Sequence, residues 1–379
     1  MTKEQWLSSL KDLSERDISL CERAYDTLMS NVYPDNGFAW SPFRCISPGK
    51  GRFEGIWNWD SAFHAAGVSR WDTTLAKESI LGFIKFQHEN GIFPDVIFEN
   101  GTIIYPFTKP PVFAWAAVKI FEKDNDCEFL EKVYPVFCKN IAYFDERRRY
   151  EGLYFYDADD KNAKEYETFV RYESGWDNSV RWDNGITNMW AIDLNCFMVM
   201  YFDSMSKIAG QLGKKDDEEK WSARAQELSN LINEKMWDEE NRWYADADRF
   251  TGKVSSVLSP ASFMPLYAKI ASQTRAVRMG ELAQSRFESK MPTVSFDNPG
   301  YSNDYWRGPT WLNVAYFAAK GLRDYGLEVG NNIKESILDM CHNEKNGIFE
   351  NYDSKTGKGL CCDHFSWSSV FIIEFILNF

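Results

Sequence analysis

The chain has 379 residues, enough for a well-buried core in one large domain or two ordinary ones. Its 43 Lys plus Arg against 56 Asp plus Glu leave a net charge of −13, which repels phosphate backbones and argues against nucleic acid as a partner. Aromatic residues make up 16 % of the chain, 15 of them Trp. Flat indole faces with one polar edge suit the faces of sugar rings as well as a packed core.

The first segment, MTKEQWLSSLKDLSERD, carries no apolar export core. It opens a helix expected over 4–30. No apolar run approaches the ~20 residues of a membrane span. The eight cysteines are scattered without a C-x-x-C pair, so they are expected as free thiols in a cytoplasmic protein. Further helices are expected over 72–89, 111–123, 128–148, 187–209, 217–237, 259–271, 273–288, 308–325, 329–342 and 365–378, separated by turn signals such as Asn90-Gly91, Pro110-Pro111 and Gly308-Pro309. Residues 217–237 place Trp221, Ala225, Leu228, Leu231, Ile232 and Met236 on one stripe, whereas the helix around Phe197–Phe202 is apolar on every side and belongs to an inner layer.

Strand-like pieces such as Leu153–Tyr156 and Trp243-Tyr244 are short, and no βαβ alternation is present. About twelve helices, some amphipathic and some wholly apolar, predict an all-α fold: an (α/α)6 barrel with short β pieces in its loops. No Ser-, Pro- or charge-rich linker divides it, so residues 1–379 are expected as one domain.

Several chemistries are excluded by pattern. The four histidines form no H-E-x-x-H and no zinc spacing with cysteine, and neither a G-x-S-x-G elbow nor a phosphate-binding P-loop is present. Pro48-Gly49-Lys50-Gly51 is too short for a phosphate cradle. What remains is carboxylates and one arginine embedded in aromatics: GIWNWDSAFHAAG at 55–67, RYESGWDNSVRWDNG at 171–185, GYSNDYWRGPTWLN at 300–313, and NGIFENYDSKTGKG at 346–359 followed by DHFSWSS at 363–369. Cleaving a glycosidic bond needs one carboxyl that keeps its proton and one that has lost it. Apolar neighbours raise a carboxyl pKa, which suits Asp177 beside Trp176 to the first role and leaves Glu350 for the second. Arg307 offers a fork for hydroxyls or a carboxylate. Each residue also has a plainer reading: a turn or cap at Asp177-Asn178, a helix cap at Asp60, a solvated loop acid at Glu350 and a structural ion pair at Arg307.

In combination these segments resemble the α/α-barrel glycosidases of glycoside hydrolase families 63 and 37, which include processing α-glucosidases, mannosylglycerate or glucosylglycerate hydrolases and trehalases. ESGWDNS at 173–179 is similar to the segment carrying their general acid, here Asp177. FENYDSKTG at 349–357 is similar to the one carrying their general base, here Glu350. The resemblance implies an inverting hydrolase acting on a small α-glucoside or α-mannoside. No cofactor and no catalytic metal are expected, because acid–base hydrolysis needs only the two carboxyls and water; the sequence does not decide whether a structural metal is bound. It also implies a substrate-binding set of Trp57, Asp60, Lys109, Trp176, Arg181, Tyr305, Trp306, Arg307, Trp311, His364 and Trp367, drawn from WNWDSAFH, YWRGPTW and HFSWSS together with their neighbours.

Many relatives have Ser-Gln-Pro-Pro where this chain has Thr108-Lys109-Pro110-Pro111. Lys109 therefore raises the alternative of a glycosylglycerate hydrolase that reads an anionic aglycone; it also admits a simple pairing with a nearby Asp. A sugar epimerase using His64 and His364, and a non-catalytic carbohydrate-binding protein, are the remaining alternatives. The partner expected is a small carbohydrate, with no membrane and no nucleic acid; the sequence assigns no oligomeric state.

Overall fold

The computed structural model describes residues 1–379. Helices are taken in chain order. The first six are α1 (Lys3–Ser8), α2 (Glu15–Ser30), α3 (Asn58–Val68), α4 (Thr73–Ile84), α5 (Phe113–Asp124) and α6 (Cys127–Arg147). There follow α7 (Tyr166–Ser174), α8 (Ile192–Gln211), α9 (Lys215–Lys235) and the single turn α10 (Met264–Tyr267). The last four are α11 (Gln273–Phe287), α12 (Leu312–Asp324), α13 (Val329–Asn343) and α14 (Ser366–Leu377).

Two concentric layers result. Helices α3, α5, α8, α10, α12 and α14 each pack on the next, and α14 closes the ring on α3. Helices α2, α4, α6, α9, α11 and α13 wrap this ring, which makes an (α/α)6 barrel. Burial follows composition. Every residue of α3 is buried, and in α14 only Leu377 is not, because these helices have protein on all sides. On the outer α9 only the stripe Trp221, Ala225, Leu228 and Ile232 is buried. Two glycines allow the inner helices to approach closely: a Cβ on Gly67 would stand 2.6 Å from Val370 Cγ2, and one on Gly321 would stand 2.6 Å from the Tyr267 nitrogen.

Differences from the expected elements have local causes. The expected helix 4–30 is divided, because Ser14 takes an extended conformation and its hydroxyl accepts from the Asp17 N–H, starting α2 afresh. The expected helix 259–271 is a 3-10 turn, Pro260–Phe263, running into α10, where Pro265 removes a donor. Helix α3 lies where the sequence suggested an acid-bearing aromatic segment; with no polar face it leaves no amphipathic trace. Asp60 therefore sits inside the first turn of α3 and caps nothing. The β structure is six small antiparallel sheets, including the three-stranded Ile56–Trp57, Val96–Ile97 and Ile103–Ile104. All eight cysteines are free thiols, and no helix is long and apolar enough to cross a membrane.

Candidate active site

Helices α3, α5, α12 and α14 begin at the same end of the barrel, at N-caps Trp57, Val112, Trp311 and Phe365, none of which supplies a side-chain cap. Their positive dipole ends surround one cavity, a field that suits carboxylates. The cavity has two parts. An inner chamber of about 70 Å³, several times the space one water needs, is lined by Pro48, Trp57, Trp59, Asp60, Lys109, Gly175, Trp306, Trp311, Phe365 and Trp367. An outer chamber of about 840 Å³ is lined by Arg52, Arg171, Tyr172, Asn178, Asn303, Asp304, Asn351 and Cys361, among others. Four residues line both: Phe53, Asp177, Tyr305 and Glu350.

The two junction carboxyls differ in surroundings. Burial raises Asp177 to about 6, with the Lys109 charge holding it below where burial alone would put it. No side-chain hydrogen bond from the protein engages it. Burial also raises Glu350, but this carboxylate is held by donors: Tyr305 Oη donates to Oε1 at 2.9 Å and the Cys362 N–H to Oε2 at 3.3 Å. Donors to a carboxylate favour its charged form. The two carboxyls at the junction thus differ in the way an acid–base pair must: one has no donor from another residue to its charged form and the other has two.

Tyr305 is itself fixed in an uncommon way. Its φ of +47° lies in the left-handed region, and its carbonyl accepts from Trp311 Nε1 at 2.9 Å. Tyr305→Phe should move the acid limb of the rate profile upward, because Glu350 loses a donor to its ionised form. A hydrogen bond to a charged group is worth about 1.5–3 kcal/mol, so the loss in rate near the acid limb is on the order of tenfold or more. A pH profile unchanged from wild type would remove Tyr305 from this role.

The inner chamber suits a sugar ring. Trp57 and Trp367 line it, and each buries an indole N–H that has no hydrogen-bond partner in the protein. Trp306 and Trp311 stack at 3.8 Å, forming a rigid aromatic wall. Asp60 is buried and raised to about 8 by that burial, against the pull of Lys109. It lines only the inner chamber and so does not face an aglycone oxygen at the junction. Lys109 Nζ stands 3.0 Å from Asp95 Oδ1 and also donates to the Tyr172 carbonyl.

Four members of the expected substrate-binding set stand elsewhere. Arg181 is buried between two acids, with 2.7 Å contacts to both Asp193 and Asp246, and its guanidinium lies over the Trp176 and Trp182 rings. Two carboxylates consume its donors, so it supports the acid loop from behind. Trp176 packs on that guanidinium and on Trp306 rather than lining the chamber; its neighbour Gly175 lines it instead, at φ +72°, where a Cβ would meet the Trp59 ring at 2.5 Å. Arg307 pairs with Asp183 at 2.7 Å and donates to the Asn178 carbonyl at 3.1 Å, clamping the acid loop to the Tyr305 loop outside both chambers. His364 bonds the Lys50 carbonyl through Nε2 at 2.9 Å and faces neither chamber. His64 is buried against the Ile46 carbonyl and held to about 3 by burial, so neither histidine serves as a proton carrier for an epimerase.

Other functional neighbours escaped the sequence. Glu173 is fully buried, pairs with Arg148 at 2.7 Å and accepts from the backbone N–H groups of Thr108 and Asp157. It thereby ties the Lys109 loop to the acid loop. Its place four residues before Asp177 was the only available signal. Arg52 and Arg171 make no ion pair with any carboxylate, although the net charge of the chain is −13. Only folding brings them to one chamber.

Residues 54–368 match the family model described as the mannosylglycerate hydrolase MGH1-like glycoside hydrolase domain. The chain is 24 % identical to the mannosylglycerate hydrolase of Rubrobacter radiotolerans, over 87 % of this chain and 92 % of that one. It is 26 % identical to that of Thermus thermophilus, over 85 % and 94 %. It is also 24 % identical to a periplasmic trehalase of Salmonella schwarzengrund, over 84 % of this chain and 64 % of that one. Among solved structures, a family 63 mannosylglycerate hydrolase from Thermus thermophilus in complex with Tris and D-glycerate superposes with a TM-score of 0.79 at 23 % identity, covering 95 % of this chain and all of that one. A neutral trehalase from Saccharomyces cerevisiae gives a TM-score of 0.70 at 19 % identity, covering 88 % and 73 %.

Proposed function

The chain belongs to the mannosylglycerate hydrolase MGH1-like glycoside hydrolases, and from that premise we propose that it is an inverting hydrolase of a small α-glycoside with an anionic, glycerate-like aglycone. The observation that carries this reading is that Asp177 and Glu350 are the only acids lining both chambers. The glycosyl ring occupies the inner chamber, the aglycone the outer one, and the scissile bond the junction. Asp177 protonates the departing oxygen. Glu350, held ionised by Tyr305 and the Cys362 N–H, takes a proton from a water attacking the opposite face of the ring. Inversion needs the two carboxyl groups roughly 6.5–9.5 Å apart, so that this water fits.

Charge selection in the aglycone falls to Arg52 and Arg171 in this reading. Lys109 lines only the inner chamber and is neutralised by Asp95, which suits it to a sugar hydroxyl. Unpaired guanidinium groups bind carboxylates by paired donors.

The test is a product screen over mannosylglycerate, glucosylglycerate, trehalose and neutral α-disaccharides, with the first sugar released followed by NMR. Turnover of a glycerate glycoside with release of the β-anomer is expected. An α-anomer would end the inverting mechanism, and better turnover of trehalose than of either glycerate glycoside would end the anionic aglycone. Changing Arg52 and Arg171 together to Gln should raise KM for the glycerate glycoside by about tenfold or more, on the order of one charge-assisted hydrogen bond, while leaving a neutral substrate within about twofold. Equal losses on both substrates would exclude these arginines as readers of charge.

A further inference from the structure

Two sequence features take no chemical part in the proposed hydrolysis: the Pro48-Gly49-Lys50-Gly51 turn, of which Pro48 lines the inner chamber, and the adjacent Cys361-Cys362 pair, of which Cys361 lines the outer chamber and Cys362 holds Glu350 through its backbone N–H alone. In the fold they meet. Cys362 Sγ, a carboxylate oxygen of Asp363 and a ring nitrogen of His364 all lie within 4.8 Å of one another. The Sγ–Nδ1 distance is 3.8 Å and the Oδ1–Nδ1 distance 2.8 Å. Gly49 covers the cluster at close range: a Cβ there would stand 2.8 Å from Cys362 Sγ and 3.6 Å from His364 Nε2. Cys362 is buried, while Asp363 and His364 keep an open side to solvent.

The tautomer of His364 is constrained. Nε2 faces the Lys50 carbonyl at 2.9 Å, an acceptor only, so Nε2 carries the hydrogen. In the neutral ring Nδ1 then presents a lone pair to a carboxylate and a sulfur. Three electron-rich atoms converge there, and a positive centre must accompany them: a proton on Nδ1 or a bound cation. A metal-ligating histidine characteristically gives its other N–H to a backbone carbonyl, the contact Lys50 provides.

We propose that Cys362 Sγ, His364 Nδ1 and the Asp363 carboxylate form a site for a thiophilic divalent cation of the zinc class, with solvent completing a tetrahedron. A zinc ion with bonds of about 2.3 Å to sulfur and 2.0 Å to nitrogen separates those atoms by about 3.5 Å, close to the observed spacing. The Asp363–His364 pair, both partly exposed, opens by about half an ångström to reach its own tetrahedral spacing. Binding releases the thiol proton, and any proton on Nδ1, to solvent; nothing is oxidised or reduced. Burial raises the Cys362 thiol above its ordinary value, which works against the thiolate, and the Arg52 charge nearby repels a cation, so affinity is moderated rather than maximal. The site stands directly behind the proposed base: the Cys362 carbonyl accepts from the Glu350 N–H at 2.8 Å, and its N–H donates to the Glu350 carboxylate. An ion held here would stiffen the segment that aims Glu350.

The experiment is a Co²⁺ titration of the full chain, freed of metal with a chelator. One equivalent should produce near-ultraviolet thiolate-to-metal absorption, which Zn²⁺ then abolishes by displacement, and Zn²⁺ should raise the melting temperature by mass action. Cys362→Ser should remove the absorption. His364→Ala and Asp363→Asn, at partly exposed positions, should each weaken binding by about tenfold or more. Cys361→Ser should leave binding intact. Absence of the absorption, its persistence in Cys362→Ser, its loss in Cys361→Ser, or undiminished affinity in both exposed-ligand variants would each overturn the proposal.

Discussion

Asp177→Asn and Glu350→Gln should each lower turnover of the best substrate by about 10²–10⁴-fold, the usual worth of one positioned acid or base. Both carboxyls sit in walls that the remaining aromatics hold, so circular dichroism and melting temperature should stay near wild type, and the loss should fall mainly on kcat. The pH dependence distinguishes the two roles. The proposed acid, Asp177, must be protonated to act, and burial raises it to about 6, so the alkaline limb of kcat/KM should fall as pH rises through about 6. The proposed base, Glu350, must be ionised to act and is raised by burial, so the acid limb should lie above the ordinary glutamate value of 4.5. Lys109 lowers the proton affinity of Asp177; Lys109→Gln should therefore carry the alkaline limb upward. The residual activity of Asp177→Asn should lack the alkaline limb. Near-wild-type turnover in either carboxyl variant would remove that residue from the mechanism, and an alkaline limb that persists in Asp177→Asn would assign the acid elsewhere.

Arg181→Ala should destabilise the protein by about 3–5 kcal/mol, the cost of leaving a buried ion pair without one partner. Arg181 is nearly inaccessible and is shared by Asp193 and Asp246, which are equally buried. Removing it leaves two carboxylates facing each other and takes the stacked plane from between Trp176 and Trp182. Asp246 also accepts from the Ile192 N–H at the start of α8, so the loss reaches the inner ring. Urea unfolding measures it. Arg307→Ala is the comparison, since its partner Asp183 is exposed and such a pair is worth about 0–1 kcal/mol. A loss below about 1 kcal/mol for Arg181→Ala would show that the acids recover solvent or protons, and that the triad does not hold the acid loop.

Much of the candidate site was legible because its chemistry is local. Asp177 and Glu350 each sit in a motif whose flanking residues build their surroundings: Gly175 and Trp176 beside the acid, and the Cys362 backbone paired with Glu350 across a short hairpin. Trp57, Asp60, Tyr305, Trp306, Trp311 and Trp367 lie around one chamber, as the motifs suggested. Arg181, Arg307, Trp176 and His364 line neither chamber, for one shared reason. Residue type and neighbourhood do not say which partner takes a side chain's donors or covers its face. Asp246 lies 65 residues from Arg181, Asp183 lies 124 from Arg307, and Lys50 lies 314 from His364. Only the folded chain decides those contests.

By itself, then, the sequence determined the barrel and pointed to the pair of carboxyls proposed to react. Helical period and wholly apolar helices are properties of neighbours along the chain, and burying the apolar helices inside the amphipathic ones leaves few layer arrangements. The tertiary structure alone decided the rest: which arginines stand in the outer chamber without a carboxylate partner, which are tied to buried acids, and that Lys109 lines the inner chamber. Charge pairing acts through space over a few ångströms, and the distance along the chain between two partners carries no information about it.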